Sequence, residues 1–236
     1  MERYTRQIPV LTPQGQERLR RASVLIAGLG GLGSAAATYL AMAGVGRLVL
    51  VDGDRVELSN LNRQILYETG DIGRLKAEAA AEKISRLNPE VEAVPVPERI
   101  GPSNVDRLVE SVDVVVDALD NWDSRFLLNR AAVAHGKPLV HGAVEGMQGQ
   151  LLVVIPGRTA CLECVFGGAK GRGGAVLGPV AGAIGVMEAL EAIKLIAGLG
   201  EPLAGRLLIA DFSSGTFDVL NVKRRPGCPV CGAAGI

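Results

Sequence analysis

VLIAGLGGLGSAAATYLAMAGVGRLVLVDGDRVELSNLNRQ, residues Val24–Gln64, holds three local signals in one run. The apolar segment Val24–Ala27 leads into the glycine turn Gly28-Leu29-Gly30-Gly31-Leu32-Gly33, and small residues follow from Ser34 to Ala43. Apolar run, glycine turn and alanine-rich segment predict strand, turn and helix. A second apolar run, Leu48–Val51, ends on Asp52, about where a ribose-binding acid falls after a GxGxxG turn. Gly28 permits the tight turn, Gly30 lets backbone approach a phosphate, and Gly33 allows the helix to sit close on the strand. The N–H groups at the start of that helix then face an anion, so the ligand implied is a nucleotide.

Outward from this unit, Gly53-Asp54 and the polar loop Ser59-Asn60-Leu61-Asn62-Arg63-Gln64 place a guanidinium beside the phosphate turn. An arginine there suits a triphosphate better than a nicotinamide. Residues Ile72–Leu87 put Leu75, Ala79, Ile84 and Leu87 on one stripe, which predicts an amphipathic helix with Lys76 in its first turn. A lysine so placed is ordinarily solvent-facing unless the turn abuts phosphates. Asp113–Leu119 is a continuous β-branched run, as a buried parallel strand requires. It ends in Asp120-Asn121 before a helix expected over Trp122–His135, and the plain structural role of Asp120 is to cap that helix.

Further strands are expected over Val91–Val96, Lys137–His141, Gln150–Ile155 and Leu207–Ala210, and further helices around Gln14–Arg20 and Val180–Leu195. The fold class is α/β, a Rossmann-like doubly wound, mainly parallel sheet with a C-terminal zinc-stapled segment. One domain over 1–236 is expected: a helical arm about 1–22, a nucleotide-binding core about 23–158, and a crossover loop, helix and zinc-knuckle segment about 159–236.

The zinc expectation comes from the cysteines. Cys161-Leu162-Glu163-Cys164 and Cys228-Pro229-Val230-Cys231 contain all four in the chain. The polar start MERYTRQIPV reads as no export signal, and the apolar run Ala175–Met187 is too short to span a bilayer. Cytoplasmic residence is therefore expected, where thiols stay reduced and paired CxxC turns ask for a metal; four thiolates would close a structural Zn²⁺ site. Lys plus Arg and Asp plus Glu number 25 each, which removes the charge excess of a nucleic-acid binder. Lys223-Arg224-Arg225 reads as a solvated turn, and the two histidines, His135 and His141, have no ligand spacing and are assigned no chemistry.

GLGGLG, DGDRVELSNLNRQ, Lys76 in GDIGRLKAEAA, Asp120 in DALDN and the paired CxxC turns, in this order, resemble the MoeB/ThiF/HesA family, bacterial relatives of ubiquitin-activating enzymes. The resemblance runs from Arg3–Gln7 to Cys231. It implies that ATP with Mg²⁺ adenylates the C-terminal glycine carboxylate of a small ubiquitin-fold sulfur carrier protein ending in Gly-Gly. The catalytic residues implied are Arg6, Arg63, Lys76 and Asp120, with Asp120 at the magnesium and Arg6 reaching the nucleotide of the partner in a homodimer. The nucleotide site implied comprises Gly28, Gly30, Gly31, Gly33, Asp52, Asp54, Asn60, Arg63, Gln64, Lys76, Asp120 and Asn121. Many relatives carry a further cysteine in the loop after the first CxxC pair; here the loop GGAKGRGGAV has none, so adenylation alone is expected, with sulfur coming from a separate donor. Rival readings are an NAD-binding Rossmann protein, an ATP-dependent dehydratase acting on a modified tRNA, and a scaffold that has kept only the fold. No membrane or nucleic-acid partner is expected.

Overall fold

The expected strand Val24–Ala27 forms β1 (Ser23–Ala27), and the Leu48–Val51 run forms β2 (Arg47–Val51), parallel to it. In the computed structural model, which describes residues 2–171 and 173–232, these strands belong to an eight-stranded sheet. Met1, Arg172 and the last four residues of the expected 159–236 segment lie outside the described residues. The remaining strands are β3 (Glu92–Val96), β4 (Val114–Asp117), β5 (Leu139–Glu145), β6 (Gln148–Val154), β7 (Arg206–Asp211) and β8 (Thr216–Asn221), in the sheet order β3-β2-β1-β4-β5-β6-β7-β8. Pairing is parallel from β3 to β5 and antiparallel from β5 to β8. Pro95 lies on the edge strand β3, where a missing donor costs least.

The apolar runs are continuous because the parallel half is covered on both faces. Along β1 the side chains alternate: Val24 and Ile26 pack with Leu40, Leu50 and Ile84 on one side, and Leu25 and Ala27 with Val49, Val115 and Leu128 on the other. The first side is covered by α2 (Gly31–Ala43), α3 (Lys76–Leu87) and α7 (Gly178–Ala197), the second by α4 (Val105–Glu110) and α5 (Trp122–Ala134). The short α6 (Leu162–Phe166) follows the first cysteine of its pair.

Several elements differ from the sequence reading: α3 starts at Lys76, not Ile72, and the short α6 was not expected. Helix α1 spans Ile8–Arg21 and starts earlier than Gln14, but Thr12 at φ 64° kinks it before Pro13, so the regular part is close to the expected one. The six-residue α4 carried too few turns for a 3.6-residue period to register. Strand β8 is exposed along its whole length, so Thr216–Asn221 shows no burial alternation to read. Among the described residues no helix is long and apolar enough to cross a membrane.

Candidate active site

The glycine turn sits at the carboxyl ends of β1 and β4. Gly28 has φ +89°, and a Cβ there would meet the Ala118 carbonyl oxygen at 2.7 Å. A Cβ on Gly33 would lie 1.8 Å from the Gly28 carbonyl oxygen, so Gly33 serves helix packing and does not line the cleft. Gly30 differs: the nearest atom to a Cβ would be Gln64 Nε2 at 3.9 Å, because this glycine faces an open cleft.

That cleft holds about 750 Å³. Gly28, Gly30, Gly31, Asp52, Asp54 and Asn60 line it, as do Arg63, Gln64, Lys76, Asp120 and Asn121. All the expected nucleotide residues except Gly33 are thus brought together. Arg6 is exposed ahead of α1 and does not line the cleft of its own chain.

Asp52 is fixed by two backbone donors, the Leu29 N–H on Oδ2 and the Asp54 N–H on Oδ1, each at 2.8 Å. Burial pushes its carboxyl up, opposed chiefly by the Lys76 ammonium. Lys76, the first residue of α3, is only 7% exposed, with Nζ 3.7 Å from Asp54. Its N–H donates to the Asp54 carbonyl, which docks the helix start on the loop after β2. The Arg63 guanidinium donates to the Ser59 carbonyl at 2.9 Å and to Asn62 Oδ1 at 3.1 Å. Gln64 is 3% exposed, and its Oε1 has no partner among the described residues. A buried acceptor on the wall of a polar cleft is costly unless a ligand donor satisfies it.

Asp120 is exposed at the cleft, and Asn121, not Asp120, caps α5 by accepting the Ser124 N–H at 2.9 Å. Among the described residues the Asp120 carboxylate has one hydrogen-bond partner, Asn121 Nδ2 at 3.2 Å. Its carbonyl accepts the Gly173 N–H, tying the glycine-rich crossover loop to the cleft rim.

Behind the cleft lies a buried polar cluster that no motif marked: Asp117 on β4, Arg125 on α5, His141 on β5 and Glu188 on α7. His141 occupies a core position, with Nδ1 2.8 Å from Asp117 Oδ2. Neither Glu188 oxygen has a partner among the described residues. Burial, then the Asp117 charge, raises its carboxyl well above the usual range, while Arg125 opposes this. A raised folded-state pKa means that the associated stability is complete below the ordinary carboxylate pKa and is lost as pH rises toward the folded value. Glu188→Gln, which cannot ionise, is expected to raise the thermal midpoint at pH 8 by about 3 °C, as ~1 kcal/mol does in a domain of this size. The gain shrinks at pH 5, and scanning calorimetry at both values checks it. An equal effect at the two pH values contradicts the neutral carboxyl.

The cysteines form a separate site. All four sulfurs lie within 4.8 Å of one another, with Cys161 and Cys228 at 3.7 Å and Cys164 and Cys231 at 3.4 Å. Zn–S bonds of about 2.3 Å put the sulfurs of a tetrahedron ~3.8 Å apart, so the set fits Zn²⁺. Arg224 and Arg225, read from sequence as part of a solvated turn, are exposed as that reading expects, and they also brace this site. Arg224 donates to the Gly157 carbonyl at 2.8 Å and to the Cys231 carbonyl, and Arg225 gives its N–H to Cys164 Sγ and its guanidinium to the Glu163 carbonyl. Spacing could not reveal most of these contacts, because Gly157, Glu163 and Cys164 lie more than sixty residues away in the chain.

Comparison with known proteins places this geometry among relatives. The sequence model of the ThiF family matches residues 4–230. A sulfur carrier protein adenylyltransferase of Thermus thermophilus is 43% identical over 98% of this chain and 91% of its own. A SAMP-activating enzyme E1 of Haloferax volcanii is 43% identical over 100% of this chain and 90% of its own. Among solved structures, Escherichia coli MccB with ATP superposes with a TM-score of 0.85 at 25% identity, covering 98% of this chain and 73% of that one.

Proposed function

This chain belongs to the ThiF family, and we propose that it transfers AMP from ATP to the C-terminal glycine carboxylate of a small ubiquitin-fold sulfur carrier protein, releasing pyrophosphate. The observation that carries this reading is the cleft. A glycine turn open to a phosphate, cationic side chains that include Arg63 and Lys76, a Gln64 acceptor without a partner among the described residues and the accessible Asp120 carboxylate all face one volume. The activities named for the two relatives support the same chemistry.

A C-terminal carboxylate has a pKa of about 3.5 and is ionised at neutral pH, so attack on the α-phosphorus needs no general base. The barrier is charge: an anion must approach a polyanion in line with the departing pyrophosphate. Arg63 and Lys76 neutralise phosphate oxygens, Asp52 accepts from the ribose hydroxyls, and the Gly30–Gly31 amides face the phosphates. Arg6 from a second copy would add a further cation. Asp120 offers the hard oxygen that suits Mg²⁺, and the ion, once bound there, would supply further neutralisation of the phosphates. The carboxylate oxygen forms the new bond to phosphorus, the bridging oxygen leaves with pyrophosphate, and the carrier departs as its acyl-adenylate. The only four cysteines are the clustered ones, so a separate donor delivers sulfur afterwards.

The reading is tested by ATP–pyrophosphate exchange with Mg²⁺, adding in turn each small Gly-Gly-ended carrier encoded in the same genome. Exchange that depends on one carrier is the expected result. ATP binding without exchange under any carrier would overturn it.

A further inference from the structure

We propose that Arg125 is a positioning residue of the adenylation site: its buried guanidinium ties the Leu119 carbonyl to the Asp117–His141 pair and so fixes the turn that presents Asp120 to the cleft. The proposal rests on the function assigned above to Asp120.

Arg125 lies in the first turn of α5 yet is only 5% exposed, and it lines the cleft. Its Nη2 donates to the Leu119 carbonyl, one peptide before Asp120. Its Nη1 reaches the His141 ring, whose Nδ1 is 2.8 Å from Asp117 Oδ2. Nη1 lies 3.2 Å from Nδ1 and 3.4 Å from Nε2, so the guanidinium rests against the ring as a whole; the tautomer with Nδ1–H given to Asp117 leaves Nε2 to accept from Gln150 at 3.3 Å. Burial, reinforced by the Arg125 charge, lowers the His141 pKa against the pull of Asp117, as a neutral ring requires.

The guanidinium carbon lies 5.3 Å from the Trp122 ring centroid, and that ring stacks on Phe126 at 5.4 Å. Arg125 is therefore held by aromatic contact on one side and by polar partners on the other. Asp117 contributes twice, because its Oδ1 also accepts the Leu119 N–H at 3.3 Å. A planar fork can address Leu119 and His141 together, whereas a lysine ammonium on its flexible stem does not hold both. Removal of the fork frees the Leu119–Asp120 peptide to rotate, and displacement of a reacting group by about 1 Å costs on the order of 10²-fold in rate.

The test uses Arg125→Lys and Arg125→Gln in the full chain, with circular dichroism and thermal midpoint as folding controls. Mn²⁺ serves as a spin probe for the divalent ion, titrated with ATP present and carrier absent. In Arg125→Lys the Mn²⁺ concentration for half-saturation is expected to rise about 10-fold, while binding of metal-free ATP stays within about twofold. Carrier-dependent exchange is expected to fall 10- to 100-fold, and further in Arg125→Gln. A folded Arg125→Lys chain with wild-type Mn²⁺ half-saturation overturns the proposal, as does a loss that follows the thermal midpoint alone. If the wild-type chain supports no exchange, the adenylation reading fails separately, and the Mn²⁺ titration still decides the role of Arg125.

Discussion

Replacing Asp120 by alanine is expected to lower carrier-dependent ATP–pyrophosphate exchange by at least about 10²-fold, the loss seen when one group stabilising transition-state charge is removed. Among the described residues the carboxylate has one hydrogen-bond partner, Asn121 Nδ2 at 3.2 Å. Helix α5 keeps its cap, because Asn121 supplies it. The thermal midpoint should therefore move by no more than about 1 °C, which separates a chemical loss from a folding one. Binding of ATP without divalent ion should persist, since the glycine turn, Arg63 and Lys76 are untouched. Exchange within about threefold of wild type in the alanine chain would remove Asp120 from the mechanism.

Removal of zinc is expected to have the largest effect on stability. Cys161 and Cys164 flank the start of α6, whereas Cys228 and Cys231 follow β8, so the ion would join two segments far apart in the chain. Cys161, Cys228 and Cys231 also pack into the apolar cluster that includes Leu128 and Leu162. Structural zinc sites contribute on the order of 10 kcal/mol at neutral pH, because no preformed site exists in the unfolded chain. Cys228→Ser, or prolonged chelation, should lower the thermal midpoint by more than about 10 °C and open the segment after β8 to proteolysis. No cysteine lines the cleft, so residual ATP binding should follow the folded fraction. A chelated chain with an unchanged midpoint would show that the four sulfurs do not hold a structural ion.

Much of the nucleotide-binding half was legible because its signals are local. Val24–Gln64 encodes strand, turn, helix and strand through burial on both faces and glycines that backbone contacts require. The helix carrying Lys76 was legible from its stripe, whereas at the strand end the sequence offered the capping role to Asp120 and not to its neighbour. Geometry resolves the matter in favour of Asn121. The cluster of Asp117, Arg125, His141 and Glu188 was not legible, since its members come from four elements and meet only through the sheet order β1-β4-β5 and the packing of α7. The bracing contacts of Arg224 and Arg225 were hidden for the same reason. Strand β8 was missed because exposure on both faces erases the period of two.

Mass spectrometry of the carrier after incubation with the wild-type chain, ATP and Mg²⁺, quenched before any sulfur donor is added, tests the adenylation most directly. The account predicts a carrier heavier by one adenylyl group, released by hydroxylamine, with pyrophosphate formed in equal amount. A carrier bearing phosphate with ADP as co-product, or an unmodified carrier beside consumed ATP, would contradict attack at the α-phosphorus.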